Sequence, residues 1–219
     1  MTWNVRSLRD DPRGVAAALR ELAPDLVCVQ EAPRLWRWRS ARRRLARRAG
    51  LRLLTRDRAC GTLLLGSSRV RLHGAGTVRL PRRPGLHRRA AVHARVEVAG
   101  HVLVVACTHL DLDPQARLDS ARRVRAALPA GPLVLGADVN DEPGSPGWSA
   151  LAAGLVDAGE GLGPTFSVAA PRRRIDALLV DPVLLVLARR VVDAGPVTDH
   201  RAVCADLAWP PGPEAPAAP

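Results

Sequence analysis

The sequence predicts a mixed α/β domain, and three observations carry that expectation. Short, β-branched apolar runs such as Leu26–Gln30 and Val102–Cys107 alternate with segments whose apolar residues recur at helical spacing. Three of the helical segments open on a capping residue followed by proline: Asp11-Pro12, Asp113-Pro114 and Ser145-Pro146. The chain also has 219 residues, 47% of them hydrophobic, which is enough for one sizeable core without staples.

Taken in order, Thr2-Trp3-Asn4 reads as a strand ending in Asn. After Asp11-Pro12, the spacing of Val15, Leu19 and Leu22 gives a helix that Pro24 closes. Leu26–Gln30 is a buried strand, and Leu35 to Ala49 an arginine-laden helix with Gly50 as its C-cap. Strands are expected at Leu51–Thr55, Thr62–Leu65, Val70–His73, Ala90–Val98 and Val102–Cys107, with a hairpin turn at Ala99-Gly100. A helix from Asp113-Pro114 through Leu128 precedes the strand Leu133–Gly136. A short helix runs from Ser145-Pro146 to Ala152, and strands Ile175–Val180, Val183–Ala194 and Ala202–Leu207 complete the domain, 1–208. The remainder, 209–219, is mostly Pro and Ala and is expected to be a disordered tail.

The net charge is +12. A basic chain suits nucleic acid or an anionic membrane surface. Here, however, Arg is abundant, there is no Lys or Tyr, and Ile175 is the one Ile, which is how a GC-rich genome writes any protein. No apolar run reaches the ~20 residues of a membrane span, and no secretory leader is visible. A cytoplasmic location is expected, although Met1 abuts the first strand and leaves room for an upstream start. Cys28, Cys60, Cys107 and Cys204 lie far apart with no CxxC spacing, so buried free thiols are expected rather than zinc or disulfides.

Function is expected where strands stop. Asn4 ends the first strand with a neutral amide. Glu31 follows Val29-Gln30, a carboxylate at a buried rim that burial penalises unless it is paired or bound to a cation; a hard divalent ion takes oxygen ligands of this kind. His109 follows the run Val102–Cys107, with no evident acidic partner. Asp138 and Asn140 follow Gly136, two apart and able to point the same way. Asp176 begins an apolar strand, and Asp199-His200 offers an acid for a metal beside an imidazole for a phosphoryl oxygen. A carboxylate such as Asp176 would fix the ring's tautomer and favour its protonated form.

In that order, Thr2-Trp3-Asn4, Gln30-Glu31, Thr108-His109-Leu110, Gly136-Ala137-Asp138-Val139-Asn140, Arg174-Ile175-Asp176 and Thr198-Asp199-His200 resemble the endonuclease/exonuclease/phosphatase superfamily of exonuclease III- and deoxyribonuclease I-like enzymes. The resemblance runs from Thr2 to about Leu207. It implies a four-layer sandwich of two mixed β-sheets packed face to face and flanked by helices, with the site at the top between them. It further implies a Mg²⁺-dependent phosphoester hydrolase, with Mn²⁺ as an alternative ion. Glu31 would ligate the metal with Asn4 and Asp199 close by, Asp138 would orient or deprotonate the water, and Asn140 would hold the phosphate. His109 and His200 would contact non-bridging oxygens, with Asp176 orienting His200. Thr62 stands where the family usually has Asn, and the Tyr that DNA-processing relatives use near the phosphate is missing, since the chain has no Tyr.

Arg174 and Arg117 are the expected substrate-binding residues, the first from the Arg172–Arg174 run, the second with a local structural role as its alternative. The helix carrying Trp36-Arg37-Trp38-Arg39 and Arg42–Arg44 is the expected added surface, facing a nucleic-acid backbone, an anionic membrane or plain solvent. No stable protein partner is implied. The rival readings are a basic nucleic-acid-binding protein without turnover and a phospholipid phosphodiesterase working at a membrane.

Overall fold

The computed structural model describes residues 1–211. Twelve strands form two six-stranded sheets among these residues. The first sheet contains β1 (Thr2–Asn4), β2 (Leu26–Gln30), β3 (Arg52–Leu53), β4 (Leu63–Gly66), β11 (Leu185–Val192) and β12 (Ala202–Ala208). Its order is β11-β12-β1-β2-β4-β3, with β1 and β2 parallel at its centre. The second sheet contains β5 (Arg71–Arg79), β6 (Ala90–Val98), β7 (His101–His109), β8 (Leu133–Asp138), β9 (Val156–Asp157) and β10 (Asp176–Val180). Its order is β5-β6-β7-β8-β10-β9, with β7 and β8 parallel.

Strand side chains alternate between faces, and the apolar residues sort accordingly. In β2 and β4, Val27, Val29, Leu63 and Leu65 pack outward under α1 (Pro12–Leu22) and α2 (Trp38–Ala49), while Cys28 and Leu64 face the other sheet. In β7 and β8, Val104, Ala106, Leu133 and Leu135 pack beneath α3 (Pro114–Ala127) and α4 (Pro146–Ala152), while Val105, Cys107 and Val134 face inward. Three apolar layers therefore bind four structural layers, the sandwich the resemblance implied. Leu63, Leu64 and Leu65 are wholly buried on alternating faces, each burial contributing about 1.5–3 kcal/mol.

The helix caps are those read from the sequence. Asp11 accepts from Arg13 N, Asp113 from Ala116 N and Ser145 from Trp148 N, each with Pro in the first turn. Gly50 closes α2 in the left-handed region. Ala99 and Gly100 both take positive φ, which closes the β6–β7 hairpin. Cys28, Cys60, Cys107 and Cys204 are free thiols, Cys60 alone not fully buried.

Several boundaries move. The arginine helix starts at Trp38 rather than Leu35, after Arg37 in a left-handed conformation. The expected Leu51–Thr55 strand shrinks to Arg52–Leu53, while antiparallel β6 extends β5 to Arg79 and parallel β8 extends β7 to His109. Val156–Asp157, unread in the sequence, pairs with β10. Trp209, assigned to the tail, stacks on His101 with ring centroids 4.7 Å apart. Residues 212–219 of that tail lie outside the described residues. Among the described residues no helix is long and apolar enough to cross a membrane.

Candidate active site

The alternation that fills the interior also builds the site. Continued to the top of the inward-facing rows, it turns polar. In the second sheet, His109 pairs in register with Asp138, and Asp138 with Asp176, so one row of three strands carries imidazole, carboxylate, carboxylate. In the first sheet, Asn4 pairs with Gln30, the residue before Glu31. Just below, Gly136 lets the sheets close: a Cβ there would lie 2.3 Å from Cys28 Cβ and 2.8 Å from Thr2 Oγ1.

Asp138 joins the rows. Its Oδ2 accepts from Asn4 Nδ2 across the gap at 2.7 Å, and its Oδ1 accepts from Asn140 N at 3.1 Å. His109 Nε2 lies 3.4 Å and His200 Nε2 3.8 Å from the same carboxylate. The side chain is 1% exposed, so these neighbours replace water as its solvation.

The two histidines differ in charge. Asn140 Nδ2 donates to Leu110 O at 2.9 Å and lies 2.9 Å from His109 Nε2. With the amide nitrogen oriented by the Leu110 carbonyl, His109 Nε2 must accept, so the ring is neutral. Burial pushes its pKa down to about 3, with Arg89, His200 and Arg34 adding to the effect and Asp138 opposing it. The short His109–Asp138 approach is therefore not an ion pair. His200 is the reverse. Burial works to lower its pKa, but Asp176, by charge and by hydrogen bond, outweighs it together with Asp138 and Asp199 and raises it to about 9. The Nδ1–Asp176 Oδ2 distance is 2.9 Å. Phe166 lies against the ring at 4.8 Å, and Trp3 Nε1 donates to the His200 carbonyl at 2.9 Å.

Glu31 and Asp199 flank the Asn4 strand end. Glu31 is half-buried, with φ +50°, a conformation uncommon outside glycine and frequent at functional sites. Its carbonyl accepts from Ser7 N at 2.7 Å. On the other side, Thr198 Oγ1 donates to the Asn4 carbonyl at 3.0 Å and places the neighbouring Asp199, whose Oδ2 sits 3.3 Å from Arg6 Nε. Asn4 Oδ1 accepts from Arg6 N at 2.9 Å.

These donors fit a divalent metal. Asp138, Asp176 and His200 offer ligand atoms within 4.8 Å of one another, and Asp176 Oδ1 is buried with no hydrogen-bond partner among the described residues. His200 Nδ1 is engaged with Asp176, and the other donors around the cluster are oxygens: the carboxylates of Asp138, Glu31 and Asp199 and the Asn4 side-chain carbonyl. That is a hard-ion donor set.

Some expectations need correction. His109, expected to lack an acidic partner and to touch the phosphate, faces Asp138, and its Nε2 is occupied by Asn140. Arg117, expected at the substrate, is buried under the site loop. Its Nη1 donates to the carbonyls of Asp111, Leu112 and Asn140, and its Nη2 pairs with Asp141 at 2.7 Å. It holds the Asn140 backbone rather than a ligand. Arg174 is likewise spent, paired with Asp157 at 2.7 Å and stacked over Trp148. Sequence reasoning missed Phe166 and Arg89 and gave Gln30, though part of a motif, no role of its own. Gln30 Nε2 donates to Thr2 Oγ1 and Cys107 Sγ and ties the sheets below the site. Arg89 lies 3.5 Å from Asp111 with its side chain nine-tenths buried. Burial lowers its pKa, while Asp111, Asp138 and Glu31 hold its charge. A basic residue directly before a strand that pairs with the His109 strand was the available signal.

No curated protein matches the sequence. Solved structures share the fold over nearly the whole chain. A mannosyl-6-phosphatase of Bacteroides thetaiotaomicron is 15% identical, with TM-score 0.78, 95% of this chain and 98% of that one covered. D. rerio TDP2, complexed with single-strand DNA product, is 19% identical, with TM-score 0.75 and 94% and 97% covered. An endonuclease/exonuclease/phosphatase of Beutenbergia cavernae is 26% identical, with TM-score 0.74, 98% of this chain and 72% of that one covered. The sequence model of the Endonuclease/Exonuclease/phosphatase family matches residues 1–200. With paired polar rows at the top of two stacked sheets and that match spanning all of them, the chain belongs to the endonuclease/exonuclease/phosphatase family of metal-dependent phosphohydrolases.

Proposed function

We propose that this protein hydrolyses phosphoesters with Mg²⁺, and that the Asp138 carboxylate is the hub of the reaction. The observation that carries the reading is the meeting of Asn4, Asn140, His109 and His200 on that one buried carboxylate. Glu31 and Asp199, with the Asn4 side-chain carbonyl, would hold the ion, which would neutralise charge on the phosphoryl oxygens. Asp138 orients the attacking water and takes up its proton. It is held for that task by Asn4 and by the Asn140 backbone, so its position is set before substrate arrives.

His200, kept protonated by Asp176, donates from Nε2 to a non-bridging oxygen as negative charge develops there. Phe166 packs against the ring, and the Trp3 indole holds the His200 backbone. His109 stays neutral and holds the Asn140 amide, so the two histidines divide the work between charge and placement. The substrates on which fold relatives act, a sugar phosphate in one case and a DNA strand in another, support testing both monoesters and diesters.

The experiment is a panel of bis(p-nitrophenyl) phosphate, p-nitrophenyl phosphate, oligonucleotides and sphingomyelin, each with Mg²⁺, Mn²⁺ and chelator. Turnover of at least one ester that stops with chelator and in Asp138→Asn is expected. Turnover of the same ester by Asp138→Asn at the wild-type rate would remove the proposal.

A further inference from the structure

Beside the site runs an open groove of about 710 Å³ between the start of α1 and the outer face of α2. Arg9 and Arg13 stand on one wall, Arg44 and Arg48 on the other, and Arg34 at the end nearest the site. The one acid in its wall, Asp11, is turned to the helix cap and accepts from Arg13 N. Trp36 stands at the rim 89% exposed, next to Leu35 at 73%, whereas Trp38 two residues later is buried beneath Arg39 and Arg42. An indole left in water beside guanidinium groups has no packing role, and Arg37 over its ring at 5.4 Å is its only aromatic or cation contact among the described residues.

The groove adjoins the loop that carries Glu31. Ser7 in its wall donates its N–H to the Glu31 carbonyl, and Arg34 follows Glu31 by three residues. A Cβ on Gly61 would lie 3.6 Å from Glu31 Cα and 3.7 Å from Arg34 Cδ, so the Arg34 stem passes close to the Glu31 backbone. A chain lying along the arginines would therefore end beside the Glu31 loop.

We infer that this groove binds a single-stranded nucleic acid, with phosphates along the two arginine walls and an unstacked base on Trp36. The inference rests on the phosphohydrolase reading and narrows it to an extended polyanion as substrate. A chain suits a concave channel with charge on both sides. A flat lipid surface would instead meet a convex face, and a small phosphate monoester would leave the arginines distant from the site unused. Aromatic stacking tolerates any base, and paired guanidinium groups track the backbone, so strand binding without sequence preference follows.

The test measures fluorescence anisotropy of a labelled single-stranded oligothymidylate in chelator, which stops turnover. Trp36→Ala and the double variant Arg44→Ala/Arg48→Ala are each expected to weaken binding by about tenfold or more. The double variant should also flatten the slope of log affinity against log salt by about 1.4, two phosphate contacts at roughly 0.7 each. Hydrolysis of bis(p-nitrophenyl) phosphate should be unchanged in both, because the groove lies outside the catalytic row. Equal oligonucleotide affinity in wild type and both variants would overturn the groove while leaving the hydrolytic reading intact. So would variants that lose binding only to anionic phospholipid vesicles or only to duplex. Groove-dependent strand binding in a protein that turns over no ester in Mg²⁺ would support the groove and strike the hydrolytic reading.

Discussion

His109 and His200 approach one carboxylate from opposite sheets and are held in opposite charge states. His109 ends β7, its ring walled in by neighbours that include Arg89, with Nε2 occupied by an amide proton. His200 precedes β12, its Nδ1 held 2.9 Å from the fully buried Asp176. Both rings are about equally buried, so desolvation alone would make both neutral. The difference is one carboxylate: at His200 the Asp176 contact overcomes the loss of water, while at His109 the 3.4 Å approach of Asp138 does not. Burial sets the default state, and a single well-placed acid reverses it.

The largest expected effect separates the two rings by activity. His200→Gln should lower turnover by about 10³-fold, because it removes the charged donor. His109→Gln should cost about tenfold, because an amide can still partner Asn140. Steady-state rates on one phosphodiester measure both, and equal losses would erase the distinction. Next in size is Asp176→Asn. Wild-type activity should hold below and fall through pH about 9 as His200 deprotonates. The variant's alkaline limb should move toward the ordinary imidazole range near pH 6.5, with a rate loss of roughly tenfold or more at pH 8. An unmoved limb would show that Asp176 does not set the ring's charge.

A smaller effect appears in stability. The His200 pKa is raised, so its contribution is fully present below about pH 6.5 and is lost as pH climbs through about 9. The His109 pKa is depressed, so its contribution is present above about pH 6.5 and is lost as pH falls toward 3. Urea midpoints across pH 4–10 should therefore decline at both ends. His200→Gln should remove part of the alkaline decline and His109→Gln part of the acidic one. The same decline in each variant as in wild type would contradict the assignment.

How far the site could be read from the chain follows from which contacts are local. Asn4, Glu31, Asp138 and Asp176 were visible because a polar residue interrupting a period-two apolar run marks a strand's end, and parity says which face it takes. The Asp176–His200 pairing was legible because an acid at a strand start beside Asp199-His200 has few other uses. The partner of His109 was not, because the register that sets it opposite Asp138 is a property of two parallel strands joined by a helix and is not written in either strand. Arg117 and Arg174 misled for a related reason. In a chain with Arg and no Lys, charge does not say whether a guanidinium reaches solvent or turns back into the fold, as Arg117 does to carbonyls and Asp141 and Arg174 does to Asp157. Phe166 sits in a loop whose sequence has no period, so nothing local announced that it would pack on His200. The architecture was easier: apolar alternation and three proline-marked caps marked the elements and their order, and the resemblance supplied the layers. What shifted were strand lengths, which depend on partners, the start of α2 and the unread β9.

The most direct measurement of the claim that paired polar rows make a metal-dependent hydrolytic centre is turnover of bis(p-nitrophenyl) phosphate against Mg²⁺ concentration, for wild type, Asp138→Asn and Glu31→Gln. Saturable, chelator-sensitive turnover is expected for wild type, with about a 10³-fold lower plateau for Asp138→Asn and a higher Mg²⁺ requirement for Glu31→Gln. Metal-independent turnover, or wild-type curves from both variants, would contradict it.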